Sequence, residues 1–153
     1  MAFLQPLTGI SSLISFPSLN SLKEQGRFVS VLNATLIIRP VRNAYASYPL
    51  PPKLVIKEQD QYGNKSAELT DASGLAIQYG NLQTDNIYHE QTYYQYDLTA
   101  YVKQQLAASV YQTTSLLLLP PSETISTQFE RLVFGDHSNS YRMELKIYVL
   151  IYK

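Results

Sequence analysis

The stretch Arg142-Met143-Glu144-Leu145-Lys146-Ile147-Tyr148-Val149-Leu150-Ile151-Tyr152-Lys153 decides the reading of the fold. Met143, Leu145, Ile147, Val149 and Ile151 fall on one parity, and Glu144, Lys146, Tyr148, Leu150 and Tyr152 on the other. An unbroken period of two is the pattern of a β-strand with one apolar face against a core. On a helix the same residues would scatter apolar and charged groups around the whole cylinder. At roughly 3.3 Å per residue such a strand runs about 30 Å, longer than most. It is expected to be the spine of the fold.

Working outward, the same signature recurs. Phe28 to Arg39 alternates, with Leu32, Ala34, Leu36 and Ile38 predicted on one face, Val31, Asn33, Thr35 and Ile37 on the other, and Pro40 at its end. Lys53 to Gln59 sets Leu54, Ile56 and Glu58 against Val55 and Lys57. Asp60-Gln61-Tyr62-Gly63-Asn64 follows with turn chemistry, since Gly63 and Asn64 tolerate positive φ. Thr114 to Leu119 is a buried strand halted by Pro120-Pro121, and Arg131 to Phe134 is another, leading to a polar turn from Gly135 to Tyr141. Ser12 to Phe16 predicts a short strand, Leu19 to Glu24 a turn or two of helix closed by Gly26, and Tyr45 to Pro52 a proline-rich loop. Residues 65–86 carry the weakest pattern, with a short strand around Leu75 to Tyr79.

Tyr88 to Tyr96 reads as a Tyr-rich strand, and after it the period changes. Leu98, Tyr101, Val102 and Leu106 lie at i, i+3, i+4 and i+8, the stripe of a short amphipathic helix over 98–107, with Asp97 or Thr99 as its N-cap. Many strands, one short helix there and no strand–helix alternation predict an all-β chain: residues 1–153 as a single antiparallel, two-sheet, jelly-roll-like β-sandwich.

Composition limits the function. The 153 residues include 13 Tyr, which favours half-buried pleated surfaces. The formal net charge is zero and Lys and Arg do not cluster, so neither nucleic acid nor an anionic membrane surface is expected as a partner. With no cysteine, disulfides, thiolate metal sites and thiol catalysis are excluded. No apolar run, Leu116 to Leu119 included, approaches the ~20 residues of a membrane-spanning helix. Met1-Ala2-Phe3-Leu4 does not open a signal peptide.

The residues carrying chemistry are few. His89 beside Glu90 and His137 beside Asp136 are the only histidines, and strand neighbours face opposite ways, so neither forms a natural pair. Asp60 and Asn64 are a weak calcium candidate, lacking the alternating oxygens and bidentate Glu of a strong site. The nucleophile elbow, the phosphate-binding glycine loop and the dinucleotide fingerprint are absent. The expectation is a protein that is not an enzyme and needs no cofactor. The most suggestive feature is Tyr88, Tyr93, Tyr94 and Tyr96, a candidate ligand platform, because aromatic faces on β-sandwiches stack against sugar rings and Tyr enriches interfaces. The alternative for the same residues is packing between strands. Tyr94 and Tyr96 share a parity and Tyr93 takes the other.

Several segments together resemble a known family. These are Phe3-Leu4-Gln5 with Gly9, Ile14-Ser15-Phe16-Pro17, Asn33-Ala34-Thr35-Leu36-Ile37-Ile38, Tyr96-Asp97-Leu98-Thr99-Ala100-Tyr101-Val102, Arg131-Leu132-Val133-Phe134-Gly135 and Leu145-Lys146-Ile147-Tyr148. They resemble the C-terminal half of the DUF4270 family, lipid-anchored exported proteins of Bacteroidetes. More distantly they are similar to DNRLRE-type carbohydrate-binding sandwiches. The resemblance implies a module at the cell surface or outer membrane, trimmed from a longer exported protein, since the lipobox cysteine of such precursors is not in this chain. Its partner would be a glycan or another surface protein, and it would meet the membrane only through that anchor. The resemblance carries no catalytic residues. A carbohydrate-binding module with a Tyr platform is the alternative function, and a glycan-active hydrolase the disfavoured one, since it needs carboxylates converging in one pocket.

Overall fold

The computed structural model describes the chain except for residues 25–27, 42–43, 46–47, 86, 89–90, 109–113, 123–128, 136–140 and 153. The strands are β1 (Ala2–Leu4), β2 (Ser12–Ile14), β3 (Phe28–Ile38), β4 (Lys53–Gln59), β5 (Lys65–Glu68), β6 (Gly80–Asn81), β7 (Tyr94–Asp97), β8 (Ser115–Leu119), β9 (Leu132–Phe134) and β10 (Glu144–Tyr152). The helices are α1 (Ser18–Glu24) and α2 (Thr99–Ala107), with a 3-10 turn at Pro6–Thr8. All pairings between these strands are antiparallel. Hydrogen bonding divides them into three sheets and no barrel closes: β1-β9, β10-β3-β7, and β2-β8-β4-β5 with β6 added against the start of β4.

One apolar core draws on every sheet. Leu36 and Ile38 of β3, Leu54 and Ile56 of β4, Tyr94 and Tyr96 of β7, Leu116 and Leu118 of β8, and Leu4, Leu132 and Phe134 of β1 and β9 all lie in it. Each such side chain contributes about 1.5–3 kcal/mol relative to leaving it in water, which is why alternation was readable in these strands. Helix α2 lies over β3 and α1 against α2. Tyr101, Val102 and Gln105 make the buried stripe of α2. Gln105 is kept from being a buried orphan by Thr114, whose Oγ1 accepts from Gln105 Nε2 at 2.7 Å and donates to Glu58 Oε2 at 3.1 Å.

Several expectations need correction. The terminal strand exists with Met143, Leu145, Ile147 and Val149 toward the core, but Ile151, expected on the same face, is 45 % exposed, and the strand is the edge of its sheet, with β3 at the centre. Met143, Leu145, Ile147 and Val149 are only partly covered, because an edge strand has a packed neighbour on one side alone. In β3 the parity breaks. Tyr148 pairs with Asn33 but Val149 pairs with Val31, so Leu32 is an extra residue bulged out of the ladder. Val31 is therefore core at 4 % exposure while Leu32 stands 56 % exposed, the reverse of the alternation read from Leu36 and Ile38. The strand predicted over Tyr88 to Tyr96 is confined to Tyr94–Asp97, and Ile87-Tyr88 is a turn whose two amides are held by Asp85 Oδ1. The strand predicted near Leu75 to Tyr79 lies later, at Gly80–Asn81. Gly26, His89, Glu90, Asp136 and His137 lie outside the described residues.

Candidate functional site

The aromatic cluster divides by parity. Tyr94 and Tyr96 point inward, 0 % and 1 % exposed, and a ring without surface cannot serve as a platform. Tyr94 Oη donates to the Pro51 carbonyl at 2.7 Å. Burial, and secondarily the charge of Glu130, pushes its phenol far above the usual range. Tyr96 Oη has no hydrogen-bond partner among the described residues, and burial raises that phenol too. The Gly80 amide lies near enough to oppose that rise slightly, though outside hydrogen-bond geometry. The Tyr96 ring end occupies the space where a side chain at residue 80 would stand: an added Cβ would overlap its Cζ, Oη and Cε2. Glycine at 80 is thus a packing requirement, not a conformational one.

A groove lies beside this contact, lined by neighbours of Gly80 and Tyr96 in the chain. Gln83 and Tyr93 exchange both backbone hydrogen bonds, at 2.9 and 3.0 Å, in an antiparallel bridge. Continuing that register sets Gly80 over Tyr96, as observed, and places Asn81 opposite Gln95 and Tyr79 opposite Asp97. The outward side chains of these three rungs line an open groove of about 270 Å³ with Gln78, whose Nε2 donates across it to the Asp97 carbonyl at 3.1 Å. Lys53 stands 4.6 Å from the centre of the Tyr79 ring, so one face of that ring is already taken. At the far rung Asp97 Oδ1 accepts from the Thr99 amide at 2.8 Å and from the Thr99 hydroxyl, while Thr99 Oγ1 accepts from the Ala34 amide at 2.9 Å. The N-cap of α2 is Leu98, with no side-chain cap bond, and not Asp97 or Thr99 as the sequence suggested; Asp97 instead makes an Asx turn just before the helix, which ties the groove's end to the start of α2 and to β3.

Of the sequence candidates, Tyr93 alone lines this groove. Tyr88 is 67 % exposed on the turn of Ile87-Tyr88, away from the lining. Gln83, Gln95, Asn81 and Tyr79 were missed. For Tyr79, Asn81 and Gln83 the signal was present as Tyr79-Gly80-Asn81-Leu82-Gln83, a polar-out segment whose inward residues are only a glycine and a leucine, too little apolar weight to mark a strand.

Asp60 and Asn64 act on the β4–β5 turn. Asp60 Oδ1 accepts from the amides of Tyr62 at 2.8 Å and Asn64 at 2.9 Å, and Oδ2 accepts from Asn64 Nδ2 at 2.9 Å. These bonds, the Asn64 side chain first, lower the Asp60 carboxyl below its ordinary value. Asn64 presents a donor where a cation would need an oxygen, and Gly63 supplies the left-handed φ of 86°. The geometry is that of a hairpin clasp. Among the described residues no three His, Cys, Asp or Glu side chains gather as a metal site, and no helix is long and apolar enough to cross a membrane.

The fold and groove define an antiparallel β-protein with a polar, aromatic-flanked cleft carried on two neighbouring segments joined by the Gln83–Tyr93 bridge. The chain matches no protein family, no curated protein and no solved structure.

Proposed function

We propose that this chain is a non-catalytic β-sandwich module of jelly-roll type, exported to a bacterial cell surface or outer membrane, which binds a glycan. The observation that supports it is the groove itself: carboxamides and a tyrosine ring presented at fixed strand spacing, the residue types that hydrogen-bond and stack on sugar hydroxyls and ring faces. Strand-borne side chains lose little freedom on binding, so weak individual contacts can still sum. Asp97 is the single acid of the lining and its Oδ1 is engaged by Thr99, which leaves hydrolysis by paired carboxylates the weaker reading. Export and lipid anchoring of the parent protein rest on the resemblance to the DUF4270 family. The test is a glycan array probed with the purified chain. A blank array at high protein concentration would retire glycan binding.

A second reading, assembly with another surface protein, is supported by β10. It is an edge strand, and Tyr148, Leu150 and Ile151 are exposed along it with no proline to discourage strand addition. Sedimentation of the chain with its candidate neighbours, and of a Leu150→Lys variant, tests this. Complexes that persist in the variant would count against the edge.

A further inference from the structure

The lining of the groove goes further than glycan binding in general and selects among glycans. Resting on the reading of the groove as a glycan site, we infer that its ligand is an uncharged, linear oligosaccharide lying along the strands, with Tyr93 as the stacking ring and Asn81, Gln83 and Gln95 as the hydroxyl-binding side chains. Three observations carry this.

The first is charge. Among the described residues the lining holds four carboxamides, two phenols and one carboxylate, and no Lys, Arg or His. An acidic sugar would meet no cation and would be repelled by Asp97. The ammonium of Lys53, beside the groove, is placed over the Tyr79 ring. A cationic ligand would find only Asp97, whose Oδ1 already accepts two hydrogen bonds from Thr99. A carboxamide donates and accepts at once, which suits vicinal hydroxyls that do the same.

The second is shape. Continuing the register of the Gln83–Tyr93 bridge sets Asn81 beside Gln95 and Tyr79 beside Asp97, and all six line the groove, so the polar side chains form a row. From the first rung to the third is four residues, about 13 Å at roughly 3.3 Å each. That length fits a short stretch of a sugar chain better than a single ring.

The third is the asymmetry of the two aromatic ends. Tyr79 has a face covered by Lys53, while Tyr93 is half-buried at the opposite end beside the exposed Gln83. Stacking therefore belongs at the Tyr93 end, and the Asp97 end supplies hydrogen bonds.

Calorimetric titration of the chain with cello-, xylo- and manno-oligosaccharides, and with oligogalacturonate as the acidic counterpart, tests the assignment. At least one neutral series binds and oligogalacturonate does not. Tyr93→Ala weakens binding about tenfold or more, equivalent to ~1.4 kcal/mol, while Tyr93→Phe retains it. Gln95→Ala and Gln83→Ala, both at exposed positions, weaken it several-fold with unchanged melting curves, and they carry the test if Tyr93→Ala fails to fold. A preference for oligogalacturonate, or neutral binding indifferent to Gln95→Ala and Gln83→Ala, overturns the assignment and leaves glycan binding elsewhere on the module intact. A chain that binds no glycan at all removes this inference together with the reading it rests on.

Discussion

Tyr94 and Tyr96 are two residues apart, equally buried and chemically identical, yet deleting the hydroxyl from each should move stability in opposite directions. In Tyr94→Phe the Pro51 carbonyl, itself buried, loses its 2.7 Å donor. Stripping a buried acceptor of its partner costs about 1–3 kcal/mol. In Tyr96→Phe a hydroxyl with no partner among the described residues is removed. Burying an unpaired hydroxyl costs about 1–3 kcal/mol in mutational data, so its deletion returns part of that, less the small void the oxygen leaves. The two variants should therefore differ by roughly 2–4 kcal/mol, with Tyr94→Phe below wild type and Tyr96→Phe at or above it. The chain has no Trp, so far-UV circular dichroism is the natural readout for urea titrations. With a urea slope of about 2 kcal/mol/M, the midpoints should separate by about 1–2 M at unchanged slope. Equal losses in both variants, or a drop of more than about 1 kcal/mol in Tyr96→Phe, would refute the reasoning, because either result means that the Tyr96 hydroxyl is satisfied after all.

Gly80→Ala should destabilise by at least about 1–3 kcal/mol through overpacking against the Tyr96 ring, and Tyr96→Leu in the same chain should recover part of the loss, measured as a double-mutant cycle. The bulge predicts a parity inversion in β3: Leu32→Asp should stay within about 0.5 kcal/mol of wild type, while Val31→Asp should unfold the chain or cost more than about 3 kcal/mol. Two acids should act in opposite directions with pH. Burial raises the Glu130 carboxyl above its ordinary 4.5, so the folded state keeps a proton the unfolded chain has released, and stability falls as pH climbs from 4.5. Glu130→Gln should remove that decline in urea midpoints taken across pH. Asp60 is lowered from 3.8, so its contribution is present above that value and is lost as pH falls through the folded pKa; Asp60→Asn should flatten only this acid limb.

Much of the strand framework was legible because burial of alternate residues leaves a period of two. β4 over Lys53–Gln59 and β8 ending before Pro120 fall where the pattern placed them. Helix α2 over Thr99–Ala107 was equally visible in the shift of period after Asp97. The candidate site was legible only in Tyr93. Tyr79, Asn81 and Gln83 sit in a segment whose inward positions are Gly80 and Leu82, and a glycine chosen to admit a neighbour's ring leaves no hydrophobic mark.

What the sequence determined by itself was local: which residues alternate, where prolines and turn residues interrupt them, and that with no cysteine no thiol chemistry is encoded. What only the tertiary structure decided was which face of each alternation meets another sheet. Parity is relative, so a single bulged residue at Leu32 sends Val31 to the core and Leu32 to the surface without any change in composition. The same dependence put Tyr94 and Tyr96 in the core and left Tyr93 outside. The groove exists because the chain brings 79–83 beside 93–97, a pairing whose register is set by backbone hydrogen bonds and by one missing Cβ, neither of which leaves a periodic trace in the order of residues.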